Sequence, residues 1–254
     1  MKNVNKLSIC LSLLHTLFMQ ATNASAQSFK AGAYVGPSMG LSFNSTKTEG
    51  KISDSSWYLS EDKCQGKSSK TGGTLSLVGG YLFDVLKTSF WGIEGNLSFS
   101  LGGEVSSKGA WGANTIFPSE WTIDCQEKFG FQLLGFYGWD LDGWTVSVKT
   151  GIALSQVALK YSEPDHSGTV KSVKKNTLGI GLPLGISAGL PVNDTLTLSF
   201  AYGYTLPLKK PSFSAHNPAS SSHNPASPLH NPHTINVKAM PHKHNLTLSC
   251  TWSL

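Results

Sequence analysis

The sequence predicts an all-β protein, an eight-stranded antiparallel transmembrane β-barrel with four long outer loops and three short periplasmic turns. Three observations predict it. Charged residues make up only 14% of the 254 residues, against about 25% in a soluble domain. Long stretches alternate strictly between bulky apolar and small polar residues, the period of an extended strand with two unlike faces. The links between those stretches alternate in length, as in a barrel with tight turns on one side of a membrane and long loops on the other. No run of about 18 apolar residues occurs, which excludes a helical membrane protein. With seven Trp, seven Tyr and 12 Phe the chain is too aromatic to be wholly disordered.

Residues 1–26 read as a signal peptide. Lys2 and Lys6 form a basic start, a short apolar stretch runs from Leu7 to Met19, and Ala24, Ser25 and Ala26 suit signal cleavage. Cys10 follows Ile9 inside this segment and does not resemble a lipoprotein cysteine. The mature chain, 27–254, is the barrel domain. Without the signal it keeps 18 lysines against 15 acids and has no arginine, a balance with no electrostatic footprint for nucleic acid.

Alternation is plainest from residue 195, where Leu196, Leu198, Phe200, Tyr202, Tyr204 and Leu206 interleave with Thr, Ser, Ala and Gly. The last strand repeats it with His244, Leu246, Leu248, Cys250, Trp252 and Leu254 on one face. Similar patterns fall at 178–190, 144–154 and 91–101, and weaker ones at 29–43, 74–84 and 128–140. Short links lie near 85–89, 140–143 and 191–194; long ones near 44–73, 103–127, 156–176 and 207–243.

Alternation alone does not say which face meets water, and a lipocalin-like soluble barrel is the alternative. The polar face here is nearly all Gly, Ser, Thr and Asn. Such a face makes a poor bulk surface but fits a narrow interior. Turned to lipid, the apolar face avoids the roughly 2–4 kcal/mol cost of a lysine at mid-membrane. Aromatic rings cluster at the strand ends. Phe90, Trp91, Trp139, Trp144 and Trp252 lie toward the short turns, and Tyr202 and Tyr204 toward the long loops, as in interfacial girdles.

Gly79-Gly80-Tyr81-Leu82-Phe83 closes one strand and Trp91-Gly92-Ile93-Glu94-Gly95 opens the next. With the exported start and eight-strand rhythm, the mature chain resembles the small bacterial outer-membrane β-barrel family of OmpA-like and OmpW-like porin-family proteins. That family usually ends in an aromatic residue read by the assembly machinery; here Trp252-Ser253-Leu254 keeps the aromatic two residues earlier. The resemblance implies a Gram-negative outer membrane, with outer-membrane lipid and the assembly machinery as partners.

Glu94 and Lys149 are the clearest charges on polar strand faces, each a few residues above a short turn. Burying an isolated charge is costly, so one reading is a lumenal ion pair that plugs or gates the interior, with Gln132 nearby. The other is that water solvates both. Cys64 and Cys125 fall in the first two long links, where an oxidising compartment permits a disulfide without requiring one. Segment 207–243 is a His/Asn/Pro/Ser-rich extracellular loop with a near-repeat around His216, His223 and His230. Its spacing fits no compact metal set, and Pro and Ser favour a low-complexity loop.

No GxSxG, P-loop, HExxH or paired-Cys zinc spacing occurs. The sequence therefore predicts no catalytic residues, no cofactor and no metal site. The expected product is a monomeric outer-membrane barrel with a narrow or plugged lumen, porin-like or structural. The alternative is a surface adhesin or antigen whose loops bind an extracellular ligand.

Overall fold

A computed structural model describes residues 31–54, 63–86, 88–111, 119–164, 170–217 and 233–254. The expected signal peptide, 1–26, lies outside the described residues. The strands are β1 (Gly32–Asp54), β2 (Lys63–Leu86), β3 (Ser89–Leu101), β4 (Val105–Trp111), β5 (Ser119–Asp140), β6 (Thr145–Pro164), β7 (Val170–Pro191), β8 (Leu196–Lys209), β9 (Ser212–Asn217) and β10 (His233–Ser253).

Eight of them close into an antiparallel barrel, in the order β1-β2-β3-β5-β6-β7-β8-β10, with β10 returning to β1. Trp252 pairs with Val35, and the Leu254 N–H donates to the Ala33 carbonyl at 2.9 Å, sealing the seam. The short turns need little. Leu141 N–H donates to the Trp144 carbonyl at 2.7 Å, and the Asn193 side-chain oxygen accepts from the N–H groups of Thr195 and Leu196. Asn commonly stabilises turns in this way.

Within the membrane the alternation resolves as a lipid-facing apolar surface. Leu133, Ile152 and Ile186 are 54%, 57% and 56% exposed, whereas Ser38, Thr74 and Ser147 turn inward and are buried. Trp91, Trp139, Trp144 and Trp252 are exposed near the short turns, where a girdle belongs. Phe90 departs from that expectation. Its neighbour Trp91 points outward, so the period of two sends Phe90 into the lumen, where it packs against Phe136 and Leu82.

The strands run well past the ends expected from alternation, into all four long links. The 22 residues of β5 rise about 55 Å at about 3.3 Å per residue and about 40° tilt, twice the about 25 Å apolar band. A register shift between Glu127 and Phe129 inverts the facing of β5, as a bulge does. Below it Gly130, Leu134 and Phe136 turn inward; above it Trp121, Ile123 and Cys125 do.

Above the bilayer the ring divides. Pairing of β2 with β3 stops at Gly73 and Leu101, and pairing of β7 with β8 stops at Ile180 and Lys209. Gly102 and Gly103 take φ of +81° and +78°, left-handed values that break β3 from β4 at little steric cost. The result is two four-stranded sheets, β4-β5-β6-β7 and β9-β10-β1-β2. They share an apolar core in which Ile123, Leu159 and Val237 are each 0% exposed, joined by Trp121, Tyr161 and Phe213. Full burial of such aliphatic side chains contributes about 1.5–3 kcal/mol each. Segment 207–243 is thus largely strand at both ends; its central residues, 218–232, lie outside the described residues.

Candidate functional site: a lumen crossed by two ion pairs

An eight-stranded barrel has an interior just wide enough for side chains to fill. The lower crossing is built from alternate strands. Glu94 on β3 and Lys149 on β6 turn inward four or five residues above the short turns. The Lys149 Nζ lies 2.7 Å from the Glu94 Oε2. Tyr34 on β1 donates its hydroxyl to the same oxygen at 2.9 Å. The ammonium also stands 5.6 Å from the centroid of the Phe136 ring, within cation–π range. Three strands that do not neighbour one another in the ring thereby meet at one carboxylate. Beneath them Leu82, Phe90 and Phe136 narrow the periplasmic mouth.

A second crossing lies higher. Lys243 on β10 donates to the Glu127 Oε1 at 2.8 Å, and both side chains are mostly buried. A cavity of about 170 Å³ runs along the lumen from Leu82 and Phe90 past Glu94 and Lys149 up to Lys243, lined largely by Ser, Thr and Gly, with Gln132 and Asn96 opposite each other in register. The side-chain oxygens of Asn96 and Asn245 are buried there without a hydrogen-bond partner among the described residues. A polar space of this size suits ordered water. Over the upper crossing sits the apolar core of the two-sheet extension.

The structure thus brings Glu94 and Lys149 together, with Gln132 lining the same space. Tyr34, Glu127 and Lys243 escaped the sequence reading. Lys243 occupies an inward position in step with Asn245 and Thr247, a legible signal. Glu127 does not, because only the bulge turns it inward.

Cys125 is a free, buried thiol; the side chain of Cys64 lies outside the described residues. Cys64 on β2 pairs with Gly50 on β1, and Cys125 on β5 pairs with Val105 on β4, in different sheets of the extension. Burial, reinforced by Glu127 and Glu104 and opposed by a hydrogen bond from Thr46, pushes the Cys125 thiol up from 9.0 to about 12. His223 and His230 lie outside the described residues, and no cluster of three metal-binding side chains occurs among those described.

A closed antiparallel barrel with an apolar belt, aromatic rims and a polar interior defines an integral outer-membrane β-barrel protein. Residues 11–238 match the family model of the outer membrane protein beta-barrel domain, and the chain belongs to that family. Its place is the outer membrane. Solved structures similar to it include OprG of Pseudomonas aeruginosa, 12% identical over 91% of this chain and 100% of that one, with a TM-score of 0.49. Neisserial surface protein A is 12% identical over 84% and 97%, with a TM-score of 0.36. Ail of Yersinia pestis is 10% identical over 88% and 99%, with a TM-score of 0.32. No curated protein matches the chain in sequence.

Proposed function

We propose that this protein is a structural barrel of the outer membrane, plugged rather than porous, with its role in the barrel wall and the outer surface rather than in catalysis. The observation that carries this reading is the double crossing of the lumen, Lys149 to Glu94 below and Lys243 to Glu127 above. A permeating ion would have to part both pairs and then pass an apolar core, where a bare charge is strongly disfavoured. Planar-bilayer recording of the refolded protein tests it. The expected result is no resolved current steps across the neutral pH range; regular steps in every active preparation would overturn the plugged lumen.

A second role, contact with an extracellular ligand, is supported by the length of the strands beyond the bilayer and by the exposed Lys174 and Lys175 that β7 carries there. Deleting residues 219–231, between β9 and β10, tests it on cells. Lost surface binding with unchanged membrane integrity favours this role; unchanged binding removes the loop from it.

A further inference from the structure

The two-sheet extension has two seams, and they differ. At the first, β2 faces β4. A Cβ placed at Gly66 would stand 2.8 Å from the Ser107 Cβ, so absence of a side chain lets the strands close on each other. At the second, β7 faces β9. Among the described residues, β7 above Ile180 pairs only with β6, and β9 pairs only with β10. Two ladder edges therefore face one another without bonding.

The base of this second seam is closed by contact, with Pro211 Cγ 3.6 Å from a Cβ built on Gly179. Above the base it opens. Residues 172–176 of β7 are all exposed. Val173 shares the inner face with Tyr161, its register partner on β6, yet Val173 is 40% exposed and Tyr161 only 3%. The Thr177 Oγ1 is buried near the base without a hydrogen-bond partner among the described residues. Lys174 and Lys175 on β7, with Lys209 and Lys210 at the chain crossing toward β9, are exposed around the slot.

We infer that this slot receives an extended, acidic polypeptide segment of a partner protein, added as a strand along the free edge of β7. Unpaired N–H and C=O groups supply the main-chain bonds of strand addition, and alternate side chains of the guest face inward beside Val173. Lys174, on the side of β7 opposite Val173, with Lys209 and Lys210 at the base of the slot, selects carboxylates on the guest's other face, and Lys175 stands on the Val173 side at the open end. The same charges argue against a second copy of this chain, because pairing two β7 edges would set lysine against lysine; edge lysines are a common guard against such self-pairing. This guest site rests on the surface-contact reading above and is independent of the plugged lumen.

The test uses the full chain folded in detergent and three labelled peptides of about eight residues, a usual strand length. One alternates Asp with Val; a second carries Lys in place of Asp; the third is the Asp peptide N-methylated along one edge. The Asp peptide is expected to bind, the Lys peptide not to, and N-methylation to weaken binding at least tenfold. The variant Lys174→Glu/Lys175→Glu is expected to weaken it at least tenfold, whereas Lys67→Glu, away from the slot, leaves it unchanged. Unboiled gel mobility verifies that each variant is folded. No binding of the Asp peptide at about 1 mM, binding indifferent to N-methylation, or binding indifferent to Lys174→Glu/Lys175→Glu overturns the site. The 219–231 deletion reads surface contact separately, so failure of the peptide leaves that reading standing.

Discussion

Glu127 and Lys243 meet across the full width of the barrel. Their strands, β5 and β10, stand opposite in the ring, yet carboxylate and ammonium are 2.8 Å apart. Only two long side chains reaching inward from facing walls can make that contact, and among the described residues each is the other's only charge partner at hydrogen-bond distance. The pair braces the barrel where its polar interior gives way to an apolar one.

Removing one partner should therefore cost more than removing both. Lys243→Met strands a mostly buried carboxylate and should lower unfolding stability by about 3 kcal/mol, the low end for a broken buried pair. Glu127→Met/Lys243→Met should recover most of that loss. Urea unfolding in lipid vesicles followed by tryptophan emission measures both. Equal stability of single variant, double variant and parent would mean that water solvates the two charges.

At the lower crossing, Tyr34→Phe deletes the hydroxyl that donates to Glu94 while keeping the ring. The expected loss is about 1–2 kcal/mol, since a hydrogen bond to a charged group exceeds a neutral one. In a Glu94→Gln background the same change should cost less than half as much. Additive costs in this cycle would show that Tyr34 and Glu94 act separately.

Leu159→Ala opens a cavity in the core shared by the two outer sheets, where Leu159 is 0% exposed. The expected cost is about 2–5 kcal/mol, concentrated in the extension. Limited proteolysis of protein in vesicles should cut the outer part of the variant faster while the membrane portion stays protected. Uniform loss of protection would contradict a separate outer core.

Cys125 should resist alkylation in the folded state. In a Cys64→Ser/Cys250→Ser background at pH 8, maleimide should label it only after unfolding, because the thiolate is the reactive form. Its raised value, about 12 against 9.0, also sets a sign. Between those values the unfolded chain has lost a proton that the folded chain keeps. Stability should then fall as pH rises above about 9, by at most about 1.4 kcal/mol per unit. Cys125→Ala should flatten that slope.

The membrane portion of the fold was legible because one side of each strand there is bulky and the other small, so Leu184, Ile186 and their spacing declare both strand and facing. The outer portion was not. There the interior turns apolar, as at Val157 and Leu159, while Lys160 and Lys174 face out, and the bulge beside Lys128 shifts the phase of β5. Residues of both faces then read as an irregular mixture, and segments that are strand look like loops. The candidate site divides the same way. Glu94 and Lys149 stand on clean alternation below the change; Glu127 lies at the bulge itself. Tyr34 was hidden for another reason, since a tyrosine near a strand end also suits an aromatic girdle.

A change of interior polarity along the strands that continue beyond the bilayer is the central claim, and a single-cysteine scan of β6 from Thr145 to Ser162, carrying a solvent-sensitive fluorophore in vesicles, tests it most directly. The account predicts hydrocarbon-like emission at the even positions 146 to 154 and water-like emission at 160, with buried, immobile signals at 157, 159 and 161. Hydrocarbon-like emission continuing through 160, or water-like emission at 157 and 159, would contradict it.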